Sequence, residues 1–435
     1  MNPNFLEWLK DKVIDFNIFK LGNSAVLYYL LVFYFLPLAV LLGFSTNIIF
    51  VDYQIPWLAL GYATIGLLAL MLGYFIPLGG YLAKKTPNLF FGVWDFKKAK
   101  VVFWTTFFIG VAAKIIRVIN GAYFDIINNL SPAFGKSAIY SVVGYLDWFW
   151  YIALAIAFIN YYSLKKIGDN NHLIWKWLAF GVLFMEIVFS IPTCSKIVII
   201  FPVLIYLLIK SYLCKINYKQ IFAVMVMIVV ILFPFGGICR NTATLKINGI
   251  IGAAGDISFF NTIGFLADSF FNRINQISVF SKVLNLPSDT AALYGSSFSN
   301  FLTTLGPPRF IWKDKPLSVN STGNNLAHEL GIVSPADSRT SISPTVVGDL
   351  YINFGVWGIF LGMFLIGVAF RFIYDYLIEL TNKSSSGLMI YSIFWVQIIS
   401  GMEGWIAPVL AGLIKFFIIL FIIHLFLIKR NSIIK

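Results

Sequence analysis

The chain has 435 residues, of which 59% are hydrophobic, 18% aromatic and only 12% charged, and it carries a net charge of +13. A soluble globular chain is about 45–50% apolar and about 25% charged, so the composition excludes that class and predicts an all-α polytopic membrane protein. The basic balance needs no nucleic-acid partner, because loop topology accounts for it.

The N-terminal residues include Glu7, Lys10, Asp11, Lys12, Asp15 and Lys20, and no small-residue cleavage site follows the first apolar run, which therefore reads as a retained span rather than a signal peptide. A membrane-crossing helix needs about 20 largely apolar residues. Ten runs meet or approach that length: 24–44, 57–77, 101–120, 141–163, 174–193, 196–211, 220–237, 346–370, 386–402 and 405–428. The sixth is short enough to be re-entrant, and the expected total is ten to twelve spans. The chain thus divides into an N-terminal transmembrane bundle (1–237), a large external loop (238–345) and C-terminal transmembrane helices (346–435).

Cytoplasmic loops are enriched in Lys and Arg. With both termini inside, the cytoplasmic segments hold 19 of the 32 cations against seven acids, whereas the short loops at 45–56 and 403–404 hold no cation. The same parity places 238–345 outside. Phe270, Ile274, Ile277, Phe280 and Leu284 recur there at helical spacing with Asn272, Arg273, Asn275 and Gln276 between them, which predicts an amphipathic helix lying on the membrane surface. Residues 320–345 read as a polar loop. Cys194, Cys214 and Cys239 lack metal or disulfide spacing, and His172, His328 and His424 do not cluster.

The external loop contains GPPRFIWKDKP at 306–316. Pro307 and Pro308 stiffen the backbone, and Arg309, Lys313 and Lys315 share one face when extended, forming an anion site suited to phosphate oxygens. Phe310 and Trp312 suit either the bilayer interface or stacking on a sugar. Charges at membrane depth cost roughly 2.5–3.5 kcal/mol each and need a partner or a watery cavity. Lys114 and Arg117 lie in span three, Glu186 in span five, Lys196 opens span six, Asp349 enters span eight and Glu403 separates spans nine and ten. Parity gathers Arg117, Lys196, Arg240, Asp349 and Glu403 near the external face. Simpler roles stand beside this: Asp349 as a helix cap, Lys196 as a snorkelling cation, and Glu186 as the partner of Lys114 or Arg117. No phosphate-binding G-x-x-x-x-G-K-[ST] loop occurs, and no D-x-D pair indicates a metal–nucleotide complex.

PPRFIWKDKP followed by Asn320 and then by GDLYINFGVWG at 348–358 resembles the C-terminal signature of Wzy-type oligosaccharide repeat-unit polymerases, which make O-antigen, capsule and enterobacterial common antigen. Pro308, Arg309, Lys315, Pro316, Gly348, Asp349, Tyr351, Asn353, Phe354, Gly355 and Gly358 carry the likeness, and Lys196 stands where an Arg is more common. The resemblance implies a GT-C-like fold in a bacterial inner membrane and transfer of a glycan from undecaprenyl pyrophosphate to a hydroxyl of another lipid-linked repeat unit. It implies membrane lipid and a chain-length-regulating co-polymerase as partners, and neither cofactor nor metal. Arg240, Arg273, Arg309, Lys313, Lys315 and Lys196 would meet the pyrophosphate charge. Asp349, then Glu403 and His328, would act as base. Trp312, Asn320, Arg339, Tyr351, Asn353 and Arg117 complete the expected substrate-binding set. The alternatives are an O-antigen ligase and a transporter or flippase of the lipid-linked glycan. No two-fold internal repeat of the kind common in transporters is visible.

Overall fold

The computed structural model describes residues 17–42, 56–90, 92–119, 138–190, 196–214, 218–227, 275–286 and 343–429, with isolated positions between 301 and 331. These residues are helical, apart from turns and one isolated bridge between Trp94 and Ile428. In chain order the helices are α1 (Leu21–Tyr29), continued by a π turn (Leu30–Tyr34) into α2 (Phe35–Leu41), then α3 (Trp57–Phe75), α4 (Leu78–Lys85) and α5 (Phe96–Ile119). They continue with α6 (Ala138–Leu146), α7 (Trp148–Ile167), α8 (His172–Ser190), α9 (Lys196–Leu213), α10 (Tyr218–Met227) and α11 (Gln276–Leu284). The last three are α12 (Thr345–Tyr374), which ends in a π turn (Asp375–Glu379), α13 (Ser385–Gly401) and α14 (Ile406–Leu427).

Among the described residues seven helices are long and apolar enough to cross a membrane, and Val198–Leu213 and Ser385–Gly401 are shorter apolar helices. In each of the ten apolar runs the described residues are mainly helical; in 220–237 they end at Met227. Lipid cannot satisfy backbone N–H and C=O groups, so helices are the only open-ended solution for such runs. Leu58, Phe75, Trp177, Phe184, Leu365 and Phe426 point outward, largely exposed. The protein is therefore an α-helical polytopic membrane protein.

Two helices run through the interior: α7 is buried on all sides from Trp150 to Tyr162, and α13 from Ser386 to Val396. Some of their polar atoms find internal partners, while Trp150 Nε1, Asn160 Nδ2 and Ser386 Oγ have none among the described residues. Trp94 Nε1 donates to Asn160 Oδ1 at 2.8 Å, Trp395 Nε1 to Ser24 Oγ at 2.9 Å, and Tyr391 Oη to the Phe19 carbonyl at 2.6 Å. Helices α3 and α12 pack backbone against backbone. Ala59, Ala63, Gly66, Ala69 and Gly73 line the buried side of α3. A Cβ at Gly73 would fall on the Phe364 carbonyl, and one at Gly367 on the Leu70 carbonyl. Without a hydrophobic drive between helices in lipid, such close backbone approach supplies the van der Waals contact that holds them.

The loops expected to be cytoplasmic meet at one end of the bundle. Tyr376 Oη donates to the Pro87 carbonyl at 2.7 Å, Lys98 Nζ to the Ile428 carbonyl at 2.7 Å, and Lys20 lies 5.6 Å over the Tyr374 ring. The start of α12, which lies before a break in the helix at Gly355, meets the α13–α14 turn at the other end.

The expected amphipathic helix exists as α11, capped by Asn275, whose Oδ1 accepts from Ser278 N at 3.3 Å; residues 270–274 lie outside the described residues. Its placement differs from expectation. Ile277, Phe280 and Val283 are fully buried, and the Phe280 ring meets Phe33 edge-on at 6.3 Å. The apolar stripe faces the bundle rather than lipid headgroups.

Replacing Gly73 with Val should lower the thermal unfolding midpoint in detergent by the equivalent of about 1–3 kcal/mol or more, since backbone cannot yield as a side chain does. Gly61→Ala, which adds a Cβ to open space, should be neutral or slightly stabilising. Equal behaviour of the two variants would contradict the tight α3–α12 crossing.

Candidate functional site

The first turn of α12 is held in an unusual backbone. Thr345 has φ of +68°, costly for a β-branched residue, and its Oγ1 accepts from Gly348 N at 3.3 Å. Val346 N donates to the Met402 carbonyl at 3.2 Å, joining this turn to the α13–α14 connection. Asp349 completes the junction. It is fully buried; Oδ1 accepts from Asn353 Nδ2 at 2.8 Å and Oδ2 from Ile406 N at 2.9 Å. Asn353 Nδ2 also lies 2.8 Å from the Asp349 carbonyl.

The first N–H groups of α14 have no intrahelical acceptor, and Trp405 offers no side-chain cap. Asp349 supplies that acceptor from 57 residues away and sets a carboxylate at the positive end of the α14 dipole. A cap at a helix N-terminus is one of the roles the sequence offers for Asp349, and the helix it caps is α14.

The rest of GDLYINFGVWG shapes the same segment. Tyr351 stacks on Tyr62 with ring centroids 5.9 Å apart and meets Phe280 of α11 edge-on at 6.3 Å. Gly355, at φ +64° and ψ −153°, breaks α12 in a region of backbone space that is essentially glycine's alone. Glu403 is half-buried in the turn that Gly404 N closes on the Gly401 carbonyl at 2.8 Å.

Asp349, Asn353 and Glu403 therefore lie at one junction, while Tyr351 of the same segment faces α3 and α11. His328 sits half-buried in a short helical turn whose Leu326 and Leu330 are buried, and Trp312 is 37% exposed. Lys196 is the first residue of α9. Arg240, Arg273, Arg309, Lys313, Lys315, Asn320 and Arg339 lie outside the described residues.

Arg117 is engaged in a separate network. Its Nη1 is 2.7 Å from Asp147 Oδ2, while one turn earlier Lys114 Nζ is 2.6 Å from Glu186 Oε2. Tyr151 Oη donates to Glu186 Oε1 at 3.1 Å, and Lys114 lies 5.1 Å over the Trp150 ring. Lys415 Nζ, from α14, donates at 2.8 Å to the Oη of Tyr145, which lies just before Asp147 in the chain. The two α5 cations thus clamp α8 and the α6–α7 corner. Asp147 is a residue that the sequence reading passed over, although its signal was plain: a lone acid between Leu146 and Trp148 inside an apolar run.

Residues 136–435 match the model of a family described as a domain of unknown function (DUF8712), and the chain belongs to that family. Comparison with curated proteins found no match, and comparison with solved structures found none.

Removing one member of a buried ion pair strands the other charge and costs about 3–5 kcal/mol, whereas replacing both with apolar groups is often neutral. Lys114→Met and Glu186→Leu should each strongly destabilise the protein in detergent, and the double variant should recover most of the loss. Additive losses in that cycle would show that the two charges are not coupled.

Proposed function

We propose that this DUF8712 member polymerises lipid-linked oligosaccharide repeat units, transferring a glycan from undecaprenyl pyrophosphate to a hydroxyl of a second lipid-linked unit at the external face of a bacterial inner membrane. The proposal includes a GT-C-like arrangement of ten spans with both termini cytoplasmic. Its sequence support is the pairing of PPRFIWKDKP with GDLYINFGVWG and the segregation of cations between loops. The structural observation that carries it is the Asp349 junction. It anchors the segment that follows the cationic loop to the turn bearing Glu403, on the side of the bundle where the loop helix α11 docks.

In this reading the acceptor hydroxyl loses its proton to a carboxylate as its oxygen attacks the anomeric carbon, and the bond from that carbon to the pyrophosphate oxygen breaks. Arg309, Arg240, Arg273, Lys313, Lys315 and Lys196 take up the developing negative charge. Burial and two hydrogen bonds make Asp349 a positioning residue in this arrangement, so the base role passes to Glu403, with His328 second. Tyr351, Asn353 and Trp312 belong to the glycan-facing segment, and a co-polymerase would set chain length.

Purified protein reconstituted with a lipid-linked repeat unit should produce a ladder of longer glycans without added nucleotide. Movement of intact substrate across the bilayer with no ladder would favour a transporter, and transfer only to a different lipid acceptor would favour a ligase. Arg309→Ala should abolish the ladder while leaving insertion and thermal stability intact. Glu403→Gln should slow extension about 10²–10⁴-fold, the usual worth of a general base. Asp349→Asn keeps an oxygen for Ile406 N, and should lose about 1–3 kcal/mol of stability but retain extension. Ladders of normal length from Glu403→Gln, or an inactive but stable Asp349→Asn protein, would return the base role to Asp349.

A further inference from the structure

The cation-rich end of the bundle contains a cavity of about 570 Å³ between the α3–α4 corner and the end of α12, within the range of small-molecule sites. The glycan reading makes no use of it. Lys84 of α4 and Arg371, Asp375 and Glu379 of the α12 terminus line it, together with Phe75 and Tyr81, which are largely exposed.

Local sequence and backbone build this wall. Arg371, Asp375 and Glu379 are spaced i, i+4, i+8; in a regular α-helix the third would be rotated roughly 80° from the first. The π turn Asp375–Glu379 widens the last turn, with Leu380 N donating to the Asp375 carbonyl at 2.8 Å and Lys383 N to the Ile378 carbonyl at 2.8 Å. That reduces the rotation and keeps all three on the cavity. Single π turns inside α-helices occur frequently at functional sites. Gly80 faces the same wall: a Cβ there would lie 2.8 Å from Asp375 Oδ2.

The polar groups are only partly satisfied by each other. Arg371 Nε donates to Asp375 Oδ2 at 2.7 Å, and Tyr374 Oη donates to Glu379 Oε1 at 2.6 Å. Asp375 is more than nine-tenths buried, yet its Oδ1 has no hydrogen-bond partner among the described residues. A buried carboxylate oxygen with no donor is expensive, and Asp375, closed to direct contact at Oδ1, adds negative charge to this cavity wall.

Two cations and two carboxylates on one wall sum to zero charge. A free anion would meet the carboxylates, and a simple cation would meet Lys84 and Arg371. A group that carries a phosphodiester and a primary ammonium together satisfies both sets. Leu78 and Leu82, exposed on the same α4, offer hydrocarbon contact beside the cavity. We propose that this cavity binds the phosphoethanolamine head group of an aminophospholipid. The phosphodiester lies on Lys84 and Arg371, and the ammonium donates to the exposed Glu379 carboxylate, with the Asp375 charge behind it. A trimethylammonium has no N–H to donate, and a glycerol head group has no cation, so both bind less well.

The test uses the full chain in detergent, titrated with phosphatidylethanolamine, phosphatidylcholine or phosphatidylglycerol of matched acyl chains, with the thermal unfolding midpoint as readout. Phosphatidylethanolamine should raise the midpoint by several degrees and the other two by much less. Lys84→Met and Glu379→Gln, both at exposed positions, should each weaken the apparent affinity about tenfold without changing the lipid-free midpoint. Competition by soluble glycerophosphoethanolamine would show that the head group alone suffices; a selective lipid response without such competition would make the membrane-borne lipid the ligand. Equal shifts from all three lipids, or an undiminished response in both variants, would overturn the proposal. Neither result depends on glycan polymerisation, which is read by the ladder assay alone.

Discussion

One hydrogen bond, beside that of Val346 N to the Met402 carbonyl, organises the end of the bundle where GDLYINFGVWG begins: the Asp349 carboxylate accepts from Ile406 N across 57 residues of chain. It is a helix cap delivered by another helix. The energy of capping is local, on the order of 1 kcal/mol, but its structural consequence is long-range. Once Asp349 is buried, α12 can begin only where α14 begins, and the α13–α14 turn with Glu403 is held beside the GDLYINFG segment. Asn353 holds the second oxygen, so the carboxylate has one geometry rather than several.

The remainder of the molecule shows how an apolar chain tolerates the polar groups it retains. Lys114, Glu186, Arg117 and Asp147 are compensated in pairs, which removes the cost of an isolated charge but adds little net stability. Their larger effect is specificity of packing, because α5 can approach α7 and α8 in only one register that brings both pairs together. The α3–α12 contact reaches the same end by shape: glycine and alanine let backbones meet, and any larger side chain at Gly73 or Gly367 would separate them.

The two ends of the bundle differ in chemistry. At one, an acid is consumed as structure and a half-buried glutamate adjoins a segment that leads into a cationic loop. At the other, cations and carboxylates line a cavity and leave one buried carboxylate oxygen unmatched. The proposed glycan chemistry belongs to the first end and the proposed lipid site to the second, so the two readings rest on separate groups of residues.

Hydropathy alone determined that this chain is helical and membrane-spanning, because a bilayer leaves long apolar runs no other backbone solution. Apolar periodicity likewise identified the stripe of α11, and Lys and Arg positions grouped the loops that meet at one end. What each group touches was not legible. Periodicity shows that a helix has an apolar face, not whether lipid or protein covers it, so α11 was expected on the membrane surface and lies against Phe33 and Tyr351. A conspicuous acid such as Asp349 reads equally as base or cap until the N–H it accepts is known, and that N–H belongs to a residue 57 positions away. The pairing of Arg117 with Asp147 is likewise decided by the packing of separate helices. Solvation is a property of each residue's own chemistry and survives in the linear order; hydrogen bonds and ion pairs are properties of two residues, and only the tertiary structure says which two.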